Sequence, residues 1–220
     1  SAHCHWCSGH GEQLSEEIDY NCSEYLGNAG GLDHLGHAHE TVAGRAAYHI
    51  GFLRGKTGRH RKVNAYNYVV EPASHACMDI DLKLEIIGAA AFGGVPALQG
   101  EQPVLKEIFS HFKACEPYLA DTEPVPDIGI LASQTSADIH NFELGIPRGY
   151  YGDLKGTFNA FHDSQAMVEF VSGRSLEAGN IDGLSVIVLS DVGVLTAGQV
   201  EALKDFVKKG GSLVATHESS

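Results

Sequence analysis

Along residues 181–220, IDGLSVIVLSDVGVLTAGQVEALKDFVKKGGSLVATHESS, the apolar positions change period twice. Residues 184–189 form a nearly continuous apolar run rich in Val and Ile, as a strand buried on both faces requires. Asp191 and Gly193 break the run. Thr196 is placed to cap a helix, and Gln199 three residues on completes a capping box. Val200, Leu203, Phe206 and Val207 then recur at helical spacing and give one apolar stripe. Lys208 and Lys209 suit the negative end of the helix dipole, and Gly210 is placed to close the helix. Residues 212–216 read as a second buried strand, so the stretch predicts a right-handed βαβ unit of two parallel strands. Residues 127–133, DIGILAS, predict a further buried strand beside them in the same sheet. Between these, 134–156 reads as a long loop. Residues 157–172 read as a helix with Phe158, Phe161, Met167, Val168 and Val171 toward the core, stopped by Gly173.

The first half alternates in the same way with weaker signals. Residues 12–28 read as mixed helix and loop, 28–36 as a Gly-rich loop, 41–47 as a short helix and 48–53 as a strand. A strand is predicted over 63–70. A helix follows over 78–92, with Asp79 as cap and Gly93 and Gly94 as its end, then a strand over 95–98. Pro103 opens a helix carrying Leu105, Ile108, Phe109 and Phe112. Residues 116–126, EPYLADTEPVP, are rich in Pro and acid and read as a linker. The whole pattern is α/β, and 220 residues suffice for one large domain or two modest ones.

Charge narrows the partners. A net charge of −13 argues against nucleic acid, whose phosphates need Lys and Arg. No apolar run is long enough to cross a bilayer, so no membrane role is expected. No leader is visible, although the chain does not begin with Met. Thirteen His residues would, if protonated, cancel the net charge, so solubility should worsen in mild acid. The five Cys (Cys4, Cys7, Cys22, Cys77 and Cys115) are irregularly spaced and read as reduced thiols of a cytoplasmic protein.

Three clusters invite chemistry. In SAHCHWCSGHG, Cys4 and Cys7 make half of a zinc site beside His3, His5 and His10, but no second pair follows and no metal is expected. HLGHAHE brings His34, His37, His39 and Glu40 together without a recognised ligand spacing. RGKTGRHRK concentrates Arg54, Lys56, Arg59, Arg61 and Lys62, which could hold an anionic sugar or carboxylate but more often form a solvated loop. Ser133, Thr135 and Ser136 follow a predicted strand, where a flavin phosphate could sit; their pattern is incomplete, and no cofactor is expected.

DVGVLTAGQVEALKDFVKKGGSLVATHESS resembles the trimerisation-type domain that follows the catalytic barrel in some beta-galactosidases and in fucosidase-like hypothetical glycosyl hydrolases. The resemblance implies a flavodoxin-like domain similar to class I glutamine amidotransferases but without a nucleophile of its own. ATHESS indeed lacks a G-x-C-x-G or G-x-S-x-G elbow. GKTGRHRKVNAY resembles the segment leading into a late barrel strand of the same group, and the helix before GGVPALQG resembles the barrel's final helix and strand. The family commonly has a Trp near that late strand, whereas this chain reads NAYNYVVE. The resemblance implies residues 1–117 as the late half of a (β/α)8 TIM barrel, 118–126 as a linker and 127–220 as a truncated flavodoxin-like domain. It nominates Glu71 as a catalytic carboxylate and His60, Asn64, Tyr66, Asn67 and Gln99 as contacts to a carbohydrate substrate. The implied function is a fragment of a glycoside hydrolase of α-L-fucosidase or beta-galactosidase type. The fragment would be inactive by itself, because such enzymes need a second carboxylate across the bond. The alternative is a flavodoxin-like binding or oligomerisation module without enzymatic activity; in either case a homo-oligomer is allowed.

Overall fold

A computed structural model of the chain describes residues 21–26, 42–57, 63–68, 79–99, 103–120, 122–143, 149–217 and 219. These residues form two compact units, one drawn from 22–50 and 62–124, the other from 51–61 and 125–220.

The first unit carries β1 (Asn21–Leu26), α1 (Val42–Thr57, whose residues from Gly51 onward group with the other unit), β2 (Val63–Tyr68), α2 (Asp79–Ala91), β3 (Gly94–Gln99) and α3 (Pro103–Leu119). Its sheet has the order β1-β2-β3. β2 and β3 are parallel, in register from Val63 opposite Gly94 to Tyr68 opposite Gln99, and α2 makes the crossover. Gly93, at φ 78°, ends α2 in the left-handed conformation that glycine adopts without a Cβ penalty.

Three expectations fail in this unit. Residues 42–57 are one helix where a helix over 41–47 and a strand over 48–53 were expected. Ala47, Ile50 and Leu53 are all buried at every third position, a helical spacing, and no Pro or turn pair interrupts it. Residues 21–26 are a strand within a stretch read as helix and loop; its neighbour β2, which no local propensity encodes, supplies its pairing. α3 runs through Pro117 to Leu119, four residues into the 116–126 stretch read as a linker. Thr122 Oγ1 donates to the Leu119 carbonyl at 2.9 Å and closes the helix there.

The second unit carries β4 (Ile128–Ala132), α4 (Gln134–Glu143), α5 (Gly149–Asp163), β5 (Val168–Ser172), α6 (Gly173–Glu177), β6 (Val186–Ser190), α7 (Ala197–Lys208) and β7 (Ser212–Thr216). All four strands are parallel in the order β5-β4-β6-β7. The expected neighbours β4, β6 and β7 are present, with α7 as the crossover between the last two. Ile130, Leu131, Phe170, Val171 and Ile187 fill the sheet's interior against Leu154, Phe158 and Leu203 of the helices. Gly129 is a point of close approach in this sheet: a Cβ there would lie 2.7 Å from Leu184 Cδ1 and 3.0 Å from Val171 Cγ2.

The capping box is present as read: Gln199 N donates to Thr196 Oγ1 and Thr196 N to Gln199 Oε1, both at 3.1 Å. Thr196→Ala should cost about 1 kcal/mol, read as a lower midpoint in urea denaturation with an unchanged slope. A midpoint equal to wild type would show that the cap is idle.

The reading of 134–172 is corrected. The supposed loop holds α4 and the start of α5, and the supposed helix ends at Asp163 and gives way to β5. A Schellman closure ends α5, with Ala166 N donating to the Phe161 carbonyl at 3.0 Å and Gln165 N to the His162 carbonyl at 2.9 Å. Gln165, at φ 58°, stands where glycine is usual, so the sequence carries no stop signal. Gly173 opens α6 instead of stopping a helix; Ser172 is its N-cap. β7, read as buried, is exposed along its whole length, with Leu213 at 39% and Val214 at 46%. Among the described residues it is an edge strand, paired on one side only, as β5 is at the other edge.

Candidate functional site

In parallel sheets ligands gather at the carboxyl ends of the strands. At that edge of the first unit, Gln99 closes β3 level with Tyr68, the last residue of β2. Asn67 is one position back, opposite Leu98, and Tyr66 two back, opposite Ala97. Asn64, opposite Val95, lies four residues before Tyr68, which places it about 13 Å down the strand at a rise of about 3.3 Å per residue. Glu71 and His60 lie outside the described residues, as do the His and Cys clusters before residue 21 and over 34–40.

The basic run is only partly the loop it was read to be. Arg54 and Lys56 belong to the last turn of α1. Lys56 is 7% exposed, its Nζ sits 4.7 Å from the centre of the Phe52 ring, and it donates to Gln134 Oε1 at 3.2 Å. A lysine held this way packs the second unit and does not stand ready for an anionic sugar. Arg59, Arg61 and Lys62 lie outside the described residues.

In the second unit the strand order reverses between β4 and β6, because β4 connects onward to β5 on one side and β6 pairs on the other. The polar groups at this switch point hold the two strand ends together. Ser133 N donates to Tyr150 Oη at 2.5 Å, and Tyr150 Oη donates to the Leu131 carbonyl at 3.3 Å. Ser133 Oγ accepts from Ser136 N at 3.1 Å. Ser136 Oγ accepts from Val194 N and donates to the Val194 carbonyl, both at 3.2 Å. A phosphate would have to displace these bonds, since Ser133 and Ser136 already serve the backbone after β6.

Next to this knot lies a pair that the sequence did not announce. Asp191 follows β6 with φ 51°, and His217 follows β7 with φ 53°. The Asp191 carboxylate, 2% exposed, is 2.9 Å from Nδ1 of His217, whose side chain is 63% exposed. A carboxylate on that nitrogen favours the tautomer protonated at Nδ1 and fixes the ring's orientation. Ser219 Oγ, bonded to the Leu189 and Thr216 carbonyls and to Val192 N, ties the same two strand ends. Asp191 was legible only as a strand breaker. Its tolerance of the left-handed region is the signal that could have found it. The strained position carries a carboxylate turned into the protein and not Cys or Ser, so no acyl-transfer nucleophile stands there.

No family model matches the chain, and no curated protein matches it. Solved structures do. A catalytic mutant of Gan42B, a GH42 beta-galactosidase from G. stearothermophilus, superposes over 95% of this chain with a TM-score of 0.72 at 14% identity. The beta-galactosidase from the psychrophilic Marinomonas ef1 covers 94% with a TM-score of 0.73 at 12% identity. That of the Antarctic haloarchaeon Halorubrum lacusprofundi covers 90% with 0.62 at 12%. The chain shares the fold of the matching part of these structures. At such identities the likeness is one of architecture, and the chain spans only 34%, 37% and 37% of those three structures. The parallel α/β expectation therefore holds. Among the described residues no helix is long and apolar enough to cross a membrane.

Proposed function

We propose that this chain is part of a glycoside hydrolase of beta-galactosidase type. In this reading the chain through the end of α3 at Leu119 forms the late part of a (β/α)8 barrel, a short linker follows, and 127–220 form a flavodoxin-like assembly domain without chemistry of its own. The observation that carries it is the match to beta-galactosidase structures over 95% and 94% of the chain, which runs through both units. Those structures favour a galactoside over the fucoside that the sequence resemblance also allowed.

Catalysis in such an enzyme needs two carboxylates across the glycosidic bond, about 5 Å apart for retention and farther for inversion. Glu71, just beyond β2, would be one of them. The other would come from barrel strands outside these residues. Gln99, Tyr66 and Asn67 on the ends of β2 and β3, with His60, would contact the sugar; Asn64 is the weakest candidate because of its depth in the strand. Assembly is favoured for the second unit over flavin binding, because its switch-point hydroxyls are taken up by Val194 and by each other. The test is a colour and mass measurement on the purified chain. A colourless oligomer supports assembly. A yellow monomer with bound flavin would overturn it.

A further inference from the structure

We propose that the outer edge of β7 pairs antiparallel with the same edge of a second copy of this chain, about a two-fold axis at Val214. The proposal rests on the assembly role given above to the second unit and names the surface that carries it. β7 bonds to β6 along its whole length, from Ser212 opposite Val186 to Thr216 opposite Ser190. Its other side pairs with no strand among the described residues. Edge strands are ordinarily kept from further pairing by a charge, a Pro, a bulge or a covering element. β5, at the opposite edge, carries Glu169 and is buried along most of its length. The SLVAT of β7 has neither charge nor Pro, and all five of its residues are exposed.

The edge is complementary to itself. An antiparallel pairing centred on Val214 sets Val214 against Val214, Leu213 against Ala215 and Ser212 against Thr216. Apolar side chains meet apolar ones and hydroxyls meet hydroxyls. No like charges face each other along the strand, although the chain carries a net charge of −13. α7 continues this surface. Its Gly198 and Gln199 lie against Glu177 and Gly173 of α6. At about 100° per residue, Val200 and Val207 fall on the flank of α7 away from Gly198, and Val207 is 45% exposed. α6 leads from β5 to β6 and α7 from β6 to β7, so that flank faces the outer edge of β7. Strands about 4.8 Å apart would put the two copies' α7 helices, two strand spacings apart, about 10 Å from each other, which is helix-packing distance. Val207 of one copy then meets the partner's Val200. The helices run antiparallel, so Lys208 and Lys209 at the end of one approach the partner's Glu201 near the start of the other.

The experiment measures the mass of the purified chain in solution by sedimentation equilibrium, in wild type, Val214→Lys and Glu169→Lys. Wild type and the β5 control should have twice the chain mass. Val214→Lys sets like charges opposite each other at the axis and should raise the dimer's dissociation constant at least about tenfold, with circular dichroism unchanged. A second measurement does not depend on how that variant folds. Under oxidation Val214→Cys should give an intermolecular disulfide mapped to 214–214, whereas Ser212→Cys, which would face Thr216, should give none to itself. An oligomer whose mass survives Val214→Lys and that yields no 214–214 disulfide would overturn this edge and leave assembly standing. A wild-type chain that stays monomeric at every concentration would overturn both. Absence of the 214–214 disulfide in a longer protein that contains this chain would give the edge to another strand of that protein and overturn the proposal.

Discussion

Phe158→Ala should lower the stability of the second unit by about 3–5 kcal/mol, the usual cost of emptying a buried aromatic site. Phe158 is 0% exposed on α5. Its ring stacks on Phe170 of β5 at 5.4 Å between centroids and on His162 at 5.8 Å. Phe52 meets the same Phe170 ring edge-on at 5.5 Å. Removing the Phe158 ring leaves Phe170 and His162 beside a cavity that the rigid strand cannot close. Domains are stable by only about 5–15 kcal/mol, so this change alone removes a large share, several times that of the Thr196 cap. Urea denaturation followed by circular dichroism checks it. A loss below about 1 kcal/mol would mean that α5 does not cover the sheet as described.

Glu71→Gln, made in a protein that contains the whole barrel, should lower kcat on aryl beta-galactosides by about 10²–10⁴-fold, the range a positioned acid or base contributes. KM should move little, because the amide keeps the shape of the carboxyl and loses only its charge and its proton chemistry. The prediction rests on the proposed barrel. Glu71 follows Tyr68, the last residue of β2, by three positions in the sequence, and barrel chemistry is built at the carboxyl ends of such strands. An unchanged kcat would remove Glu71 from the mechanism and return it to a solvated surface residue.

The sequence was most informative where local and tertiary signals agree. β6, α7 and β7 were readable because a buried Val and Ile run, a capping box and a helical stripe follow one another without conflict. Reading failed where the decisive partner is distant or the usual residue is replaced. Gln165 ends α5 in a conformation usually reserved for glycine, so 157–172 looked like one helix. The 48–53 run looked like a strand because Tyr48, Ile50 and Phe52 are good strand formers, whereas burial at Ala47, Ile50 and Leu53 follows the helix. The burial of β7 was overestimated because an apolar strand reads the same at a sheet's edge as at its centre. For the candidate site, Gln99, Tyr66 and Asn67 were nominated from resemblance, and the register sets them at or near one edge. The Asp191–His217 pair joins residues 26 positions apart, a closeness that only the parallel pairing of β6 with β7 creates.

The central claim, that this chain is part of a beta-galactosidase-type hydrolase whose second unit only assembles, is tested most directly by turnover of an aryl beta-galactoside. The account predicts none from the purified 220-residue chain and clear turnover, sensitive to Glu71→Gln, once the chain is joined to the rest of its barrel. Turnover by the 220-residue chain alone, or none by the protein with its complete barrel, would contradict it.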